Sequence, residues 1–130
     1  VRDEKPRESS QRMVRVIVES PYKGKSVNGT SVAHNVDYLR ACMRDCLLRG
    51  EAPYASHGLY TQPGVLADDI HEERELGIAA GFAWREAADL TVVYIDLGVS
   101  EGMQRGVEDA TERGCPVEYR SLPEWQSARV

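Results

Sequence analysis

The stretch from Val92 to Tyr119, VVYIDLGVSEGMQRGVEDATERGCPVEY, constrains the fold of this chain more than any other. It reads as an apolar strand, a glycine-bearing turn, an amphipathic helix and a second strand, which is half of a parallel α/β sheet. The run from Leu90 to Ile95 is almost continuously apolar, so the strand is expected to be buried on both faces. A polar turn follows at its carboxyl end, where open α/β sheets bind their ligands. Ser100, Gly102 and Met103 stand at the start of the following helix, where backbone N–H groups without intrahelical partners can hold an anion.

The rest of the chain repeats this alternation. Met13 to Glu19 is β-branched and alternating and predicts a strand, followed by a loop over Ser20 to Thr30. Val32, Val36, Leu39, Cys42, Met43, Cys46 and Leu47 recur at helical spacing, with Ser31 as N-cap and Gly50 as terminator. Ala52 to Ala55 predicts a short second strand, and His57 to Leu66 a long loop. Asp69 opens a further helix with Glu72 in capping-box spacing, its inner side formed by Ile70, Leu76, Ile78, Ala79, Phe82 and Ala83. Leu90 to Ile95, Ser100 to Arg113 and Pro116 to Tyr119 predict the third strand, third helix and fourth strand, and Pro123 to Ala128 a last helical turn. The order implies a three-layer, doubly wound, flavodoxin- or Rossmann-like α/β fold: a parallel sheet of four to five strands with right-handed crossovers. Residues 1–11 are polar and aperiodic and predict a disordered tail, which leaves 12–130 as one domain.

Composition excludes several classes. The net charge of −5 over 130 residues, without a Lys/Arg run, argues against polymeric nucleic acid but leaves room for a small anionic ligand. No apolar run approaches the ~20 residues of a membrane span. The opening residues are charged, so no signal peptide is expected and the chain reads as cytoplasmic. For the same reason the sequon Asn28-Gly29-Thr30 carries no weight. Three cysteines do not make a disulfide framework. Cys42 and Cys46 lie one helical turn apart, but nothing nearby completes a zinc pattern, so they read as core and no metal is expected. Gly24-Lys25-Ser26 copies the end of a Walker A motif, yet Glu19 stands where its first glycine belongs; GxGxxG is also missing. No cofactor is expected.

Ser20-Pro21-Tyr22 at the end of the first strand, together with Asp96 before Ser100-x-Gly102-Met103, resembles the nucleoside 2-deoxyribosyltransferase-like superfamily, especially its short phage and bacterial members. The resemblance spans about Val14 to Arg120. It implies that Ser20, Pro21 and Tyr22 meet a base or sugar, that Asp96 lies near the sugar hydroxyls, and that Ser100 and Gly102 take the 5′ phosphate position. Enzymes of the superfamily break or exchange an N-glycosidic bond with a helix glutamate as nucleophile, in the pattern Ser-x-Gly-x-x-x-Glu-x-x-x-Ala. Here the frame reads Ser100-x-Gly102-x-x-x-Gly106-x-x-x-Ala110, with glycine at the nucleophile position. At ~100° per residue, Glu108 faces ~200° away, and Asp109 lies within ~60° but a turn further on. Glu101, beside the pocket mouth, is the nearest stand-in. A Gly in mid-helix costs about 1 kcal/mol relative to Ala, so a ligand or another backbone approaching at Gly106 is one reading and plain drift the other.

Other residues divide between function and structure. His57 follows a strand and is a candidate ligand contact or general acid, against a surface histidine. His34 and His71 read as exposed. Asp68, Asp69, Glu72, Glu73 and Arg74 read first as capping and dipole compensation, with Glu73 or Arg74 as possible ligand contacts. Trp84 reads as core or interface. Three functions follow. The first is a protein that binds a nucleoside, nucleotide or nucleotide-derived signal and lacks the usual nucleophile. The second is an N-glycosidase or deoxyribosyltransferase using Glu101, Asp96 or an activated water. The third is a structural or assembly module pairing through Ala79, Ala80, Phe82, Ala83 and Trp84. A homo-oligomer in a bacterial or phage-infected cytosol, with a small-molecule ligand, is the expected setting.

Overall fold

The computed structural model describes residues 12–23 and 30–127, with the side chains of 126 and 127 left aside. The expected tail at 1–11 and the Walker-like Gly24-Lys25-Ser26 lie outside the described residues. Four strands, β1 (Val14–Glu19), β2 (Glu51–Tyr54), β3 (Leu90–Tyr94) and β4 (Val117–Arg120), form one sheet in the order β2-β1-β3-β4. Every pairing is parallel, with Val16 opposite both Pro53 and Leu90 and Val92 opposite Glu118. Pro53 is tolerated because β2 is an edge strand. The helices are α1 (Val32–Leu48), α2 (Ser56–Leu59), α3 (His71–Trp84), α4 (Glu101–Glu112) and α5 (Pro123–Ser127), with a 3-10 turn at Arg85–Ala87. The α/β fold expected from the sequence is therefore the observed one. None of the described helices is long and apolar enough to cross a membrane.

Strand alternation divides the core into two layers. Val16, Val18, Val92 and Tyr94 point to one side and pack against Tyr38, Leu39, Cys42 and Cys46 of α1 and against Trp125 of α5. Ile17, Glu19, Thr91 and Val93 alternate with them and face Arg85 and α4. Both cysteines of α1 are free and fully buried. Ser31 caps α1, its side chain accepting from His34 N at 3.1 Å, and Gly50 follows the helix at φ 84°. The buried face of α1 is turned further towards Asn35 and Tyr38 than the apolar pattern indicated, leaving Val32 and Leu47 exposed. Tertiary polar partners draw it there. Buried Asn35 donates to Tyr22 O and Lys23 O, both at 3.1 Å, and so ties the segment after β1 to the helix.

Two local expectations change. Asp69 and Glu72 form no capping box: α3 starts at His71 behind Ile70, without a side-chain cap. The residues before it are instead fixed by Glu73, whose Oε1 accepts from Ala67 N at 2.7 Å. The inner face expected for α3 is mostly outward, with Ile70, Leu76 and Trp84 45%, 60% and 54% exposed and Gly81 its one buried residue. The helix does not seat on the sheet because a cavity lies between them. The first part of the expected loop after β2 forms the short α2.

Order reversal between β1 and β3 creates a switch point. The chain leaves β1 towards β2 on one side and leaves β3 towards β4 on the other. Such a point is where open α/β sheets leave a crevice at the strand carboxyl ends.

Candidate functional site

A cavity of about 430 Å³ occupies that crevice, a volume ordinary for a small-molecule site. Its floor comes from the end of β1, one side from α2 and α3, and its mouth from the first turn of α4.

Ser20, directly after β1, is 5% exposed. Its Oγ lies 2.8 Å from His57 Nε2, so one of the two donates to the other. His57 is carried by α2, which begins right after β2, and this contact therefore joins two strand ends. Enclosure of the ring disfavours the imidazolium and brings its pKa down from 6.5 to about 4. At neutral pH His57 is an uncharged hydrogen-bonding group.

Glu19, the last residue of β1, also lines the cavity, with 14% of its side chain exposed. Its Oε2 accepts from Arg85 Nη2 at 3.2 Å. Arg85 is almost fully buried and also donates to Asp109 Oδ2 at 3.0 Å and Thr91 Oγ1 at 2.9 Å. Its guanidinium lies 5.6 Å from the Phe82 ring centroid. Burial nevertheless outweighs the attraction of Arg85, and the Glu19 carboxyl is pushed up from 4.5 to about 7. A group that titrates near neutral pH in a cleft is suited to proton transfer or to meeting a charged ligand.

The glycine of α4 belongs to this arrangement. A Cβ at Gly106 would fall on the Glu19 carboxylate, within 2.7 Å of Oε1 and closer still to Oε2. Gly106 is therefore explained neither by drift nor by a backbone approaching: a strand-borne carboxylate fills the space beside the helix.

At the mouth, Ser100 Oγ accepts from Met103 N at 3.2 Å, and Met103 Sδ accepts from Ser100 N at 3.3 Å, which closes the α4 cap. Helix geometry leaves the N–H groups of Glu101 and Gly102 without intrahelical acceptors. A Cβ at Gly102 would lie 3.6 Å from Arg74 Nη2, so the guanidinium of α3 stands beside this turn. Arg74 is also 3.8 Å from Asp68 Oδ1. Arg105 of α4 grips Glu75 of α3 through two bonds of 3.0 Å, and this holds the two helices together across the cavity.

Of the residues expected at the site, Ser20, Tyr22, His57, Ser100, Glu101, Gly102 and Met103 line the cavity. Pro21 is buried and Asp96 is 1% exposed, and neither is in the cavity wall. Asp96 Oδ2 instead accepts from Tyr38 OH at 2.6 Å and Leu122 N at 2.8 Å, while Asp96 N donates to Tyr38 OH at 2.9 Å. Asp96 is thus placed as a clasp between α1 and the segment after β4 rather than beside a sugar. Asp109 is taken up by Arg85 and, at 2.9 Å, by Arg113. His34 packs against Trp125, and Trp84 is exposed against Tyr54. Glu19, Arg85, Tyr60 and Phe82 were not singled out from the sequence for this site, yet all four line it. A charge closing an otherwise apolar strand was the one local signal for Glu19. Among the described residues, no group of His, Cys, Asp and Glu is placed to hold a metal ion.

Neither a search of curated proteins nor one of solved structures found a match. A family model does match, over residues 14–120, from the first residue of β1 to the last of β4. The chain belongs to the DUF7768 family, a domain of unknown function.

Proposed function

We propose that the cavity binds a nucleoside, nucleotide or nucleotide-derived signal. The observation that carries this reading is convergence: Ser20 and Tyr22 after β1, and Ser100, Gly102 and Met103 at the start of α4, are remote in sequence and share one cavity wall. These are the segments on which the resemblance to nucleoside 2-deoxyribosyltransferase-like proteins rests. Tyr22, Tyr60 and Phe82 supply aromatic surface for a base. Ser20, His57 and Glu19 supply polar partners for a sugar. The start of α4 with Arg74 suits a phosphate.

A second reading, cleavage or exchange of the N-glycosidic bond, is favoured by the Glu19 carboxyl in the cavity. Incubation with purine and pyrimidine nucleosides, their 5′-monophosphates and cyclic ADP-ribose-type signals tests both readings. Binding predicts a raised melting temperature with the ligand recovered intact, since a ligand at one hundred times its Kd adds about 2.7 kcal/mol. Turnover predicts free base on chromatography. A panel that neither shifts melting nor releases base refutes the assignment. Exposed Ile70, Leu76 and Trp84 offer apolar surface for a second copy of the chain, which light scattering checks directly.

A further inference from the structure

We propose that Glu19 is the ligand-facing carboxylate of this cavity, delivered from strand β1 into the space that a side chain at position 106 of α4 would occupy, and that it faces positive charge on the sugar of the ligand. The inference rests on the nucleoside-site reading and adds the residue and the charge that site selects.

Three observations carry it. The first is position: Glu19 lines the cavity beside Ser20, at the strand end where ligands of open α/β sheets sit. The second is exclusion: the Gly106 Cβ would overlap both carboxylate oxygens, so helix and strand offer one place for one acidic side chain. The third is partnership. Arg85 already has Asp109 and Thr91, and it reaches Glu19 through a single bond to Oε2. Among the described residues Glu19 Oε1 accepts no hydrogen bond. A counter-ion for Arg85 alone would not need a second carboxylate. When Glu19 is ionised the group Glu19–Arg85–Asp109 carries one net negative charge, in a cavity of low dielectric where it acts strongly on a cation. The raised titration of Glu19 fits this: the carboxylate is costly in the empty cavity, and a cationic ligand offsets that cost.

The test uses two probes and the full chain. One is a pyrrolidine iminoribitol, protonated on its ring nitrogen, and the other is the neutral tetrahydrofuran analogue of the same sugar. Binding to each is measured by calorimetry at pH 8 for wild type, Glu19→Gln and the double variant Glu19→Ala/Gly106→Glu, with circular dichroism confirming the fold. The expected result is that Glu19→Gln weakens the cationic probe at least tenfold, leaves the neutral probe within twofold, and that the double variant regains most of the lost affinity. If wild type binds both probes and Glu19→Gln changes neither, the inference is overturned and the nucleoside site stands. If wild type binds neither, both fail. Should the double variant not fold, Glu19→Gln with the two probes still decides.

Discussion

Glu19 and His57 titrate in opposite senses, and the stability of the protein against pH reports both. Glu19 moves from 4.5 when unfolded to about 7 when folded, so between those values the folded state holds more protons and stability falls as pH rises. His57 moves from 6.5 to about 4, so between those values the unfolded state holds more protons and stability rises with pH. Each displacement spans about 2.5 pH units, equivalent to about 3 kcal/mol at 1.36 kcal/mol per unit, as an upper figure for a cavity that admits water. From pH 5 to 6.5 the two slopes oppose and wild type should be nearly flat. Glu19→Gln keeps an acceptor for Arg85 and removes one titration. It should expose the His57 slope, with stability falling by up to about 1.4 kcal/mol per pH unit on acidification. At pH 8 the same variant should be more stable than wild type by about 2–3 kcal/mol, because burial no longer penalises an anion. Urea unfolding at half-unit steps from pH 5 to 8 measures this. A Glu19→Gln profile parallel to wild type would refute the reasoning, since neither group would then be titrating out of its ordinary range.

Two further substitutions test the frame around the site. Arg120 donates to both oxygens of Glu51 at 2.8 and 2.7 Å, and that pairing holds the Glu51 carboxyl below its ordinary range. Glu51→Ala should cost about 3 kcal/mol by leaving a buried guanidinium short of a partner. Glu51 titrates low when folded, so its contribution is present above pH 4.5 and lost as pH falls through the lowered value; urea midpoints of variant and wild type should converge in acid. Tyr38→Phe removes the donor to Asp96 Oδ2 and the acceptor for Asp96 N. It should cost about 2 kcal/mol in the same assay while leaving ligand-induced melting shifts unchanged, because neither residue lines the cavity.

The architecture was legible because its signals are local. The apolar run of β3, the alternation of β1, and the caps at Ser31 and Ser100 each depend on neighbours within a few residues. Half of the cavity was legible for the same reason, since Ser20, Ser100 and Gly102 mark strand and helix ends. The misses are tertiary. Asp96 stands at a strand end, where a ligand contact is expected, but Tyr38, 58 residues away, and Leu122, 26 residues away, claim its carboxylate. The α3 helix carries apolar residues at helical spacing, yet no pattern within the helix reveals that a cavity keeps it off the sheet. Glu19 read only as an interruption of a Walker motif, because nothing near it in sequence announces Arg85 or Gly106.

Gly106 and Glu19 share one volume, and this couples two positions 87 residues apart in heredity as well as in space. A lineage that carried a side chain at 106 could not lengthen residue 19 to glutamate first, since the intermediate would hold two groups in the room of one. Loss of the helix side chain had to come before, or together with, the gain on the strand. Glycine at this point of α4 therefore acts as a permissive change: neutral or slightly costly by itself, and the condition under which the acidic group could change its element.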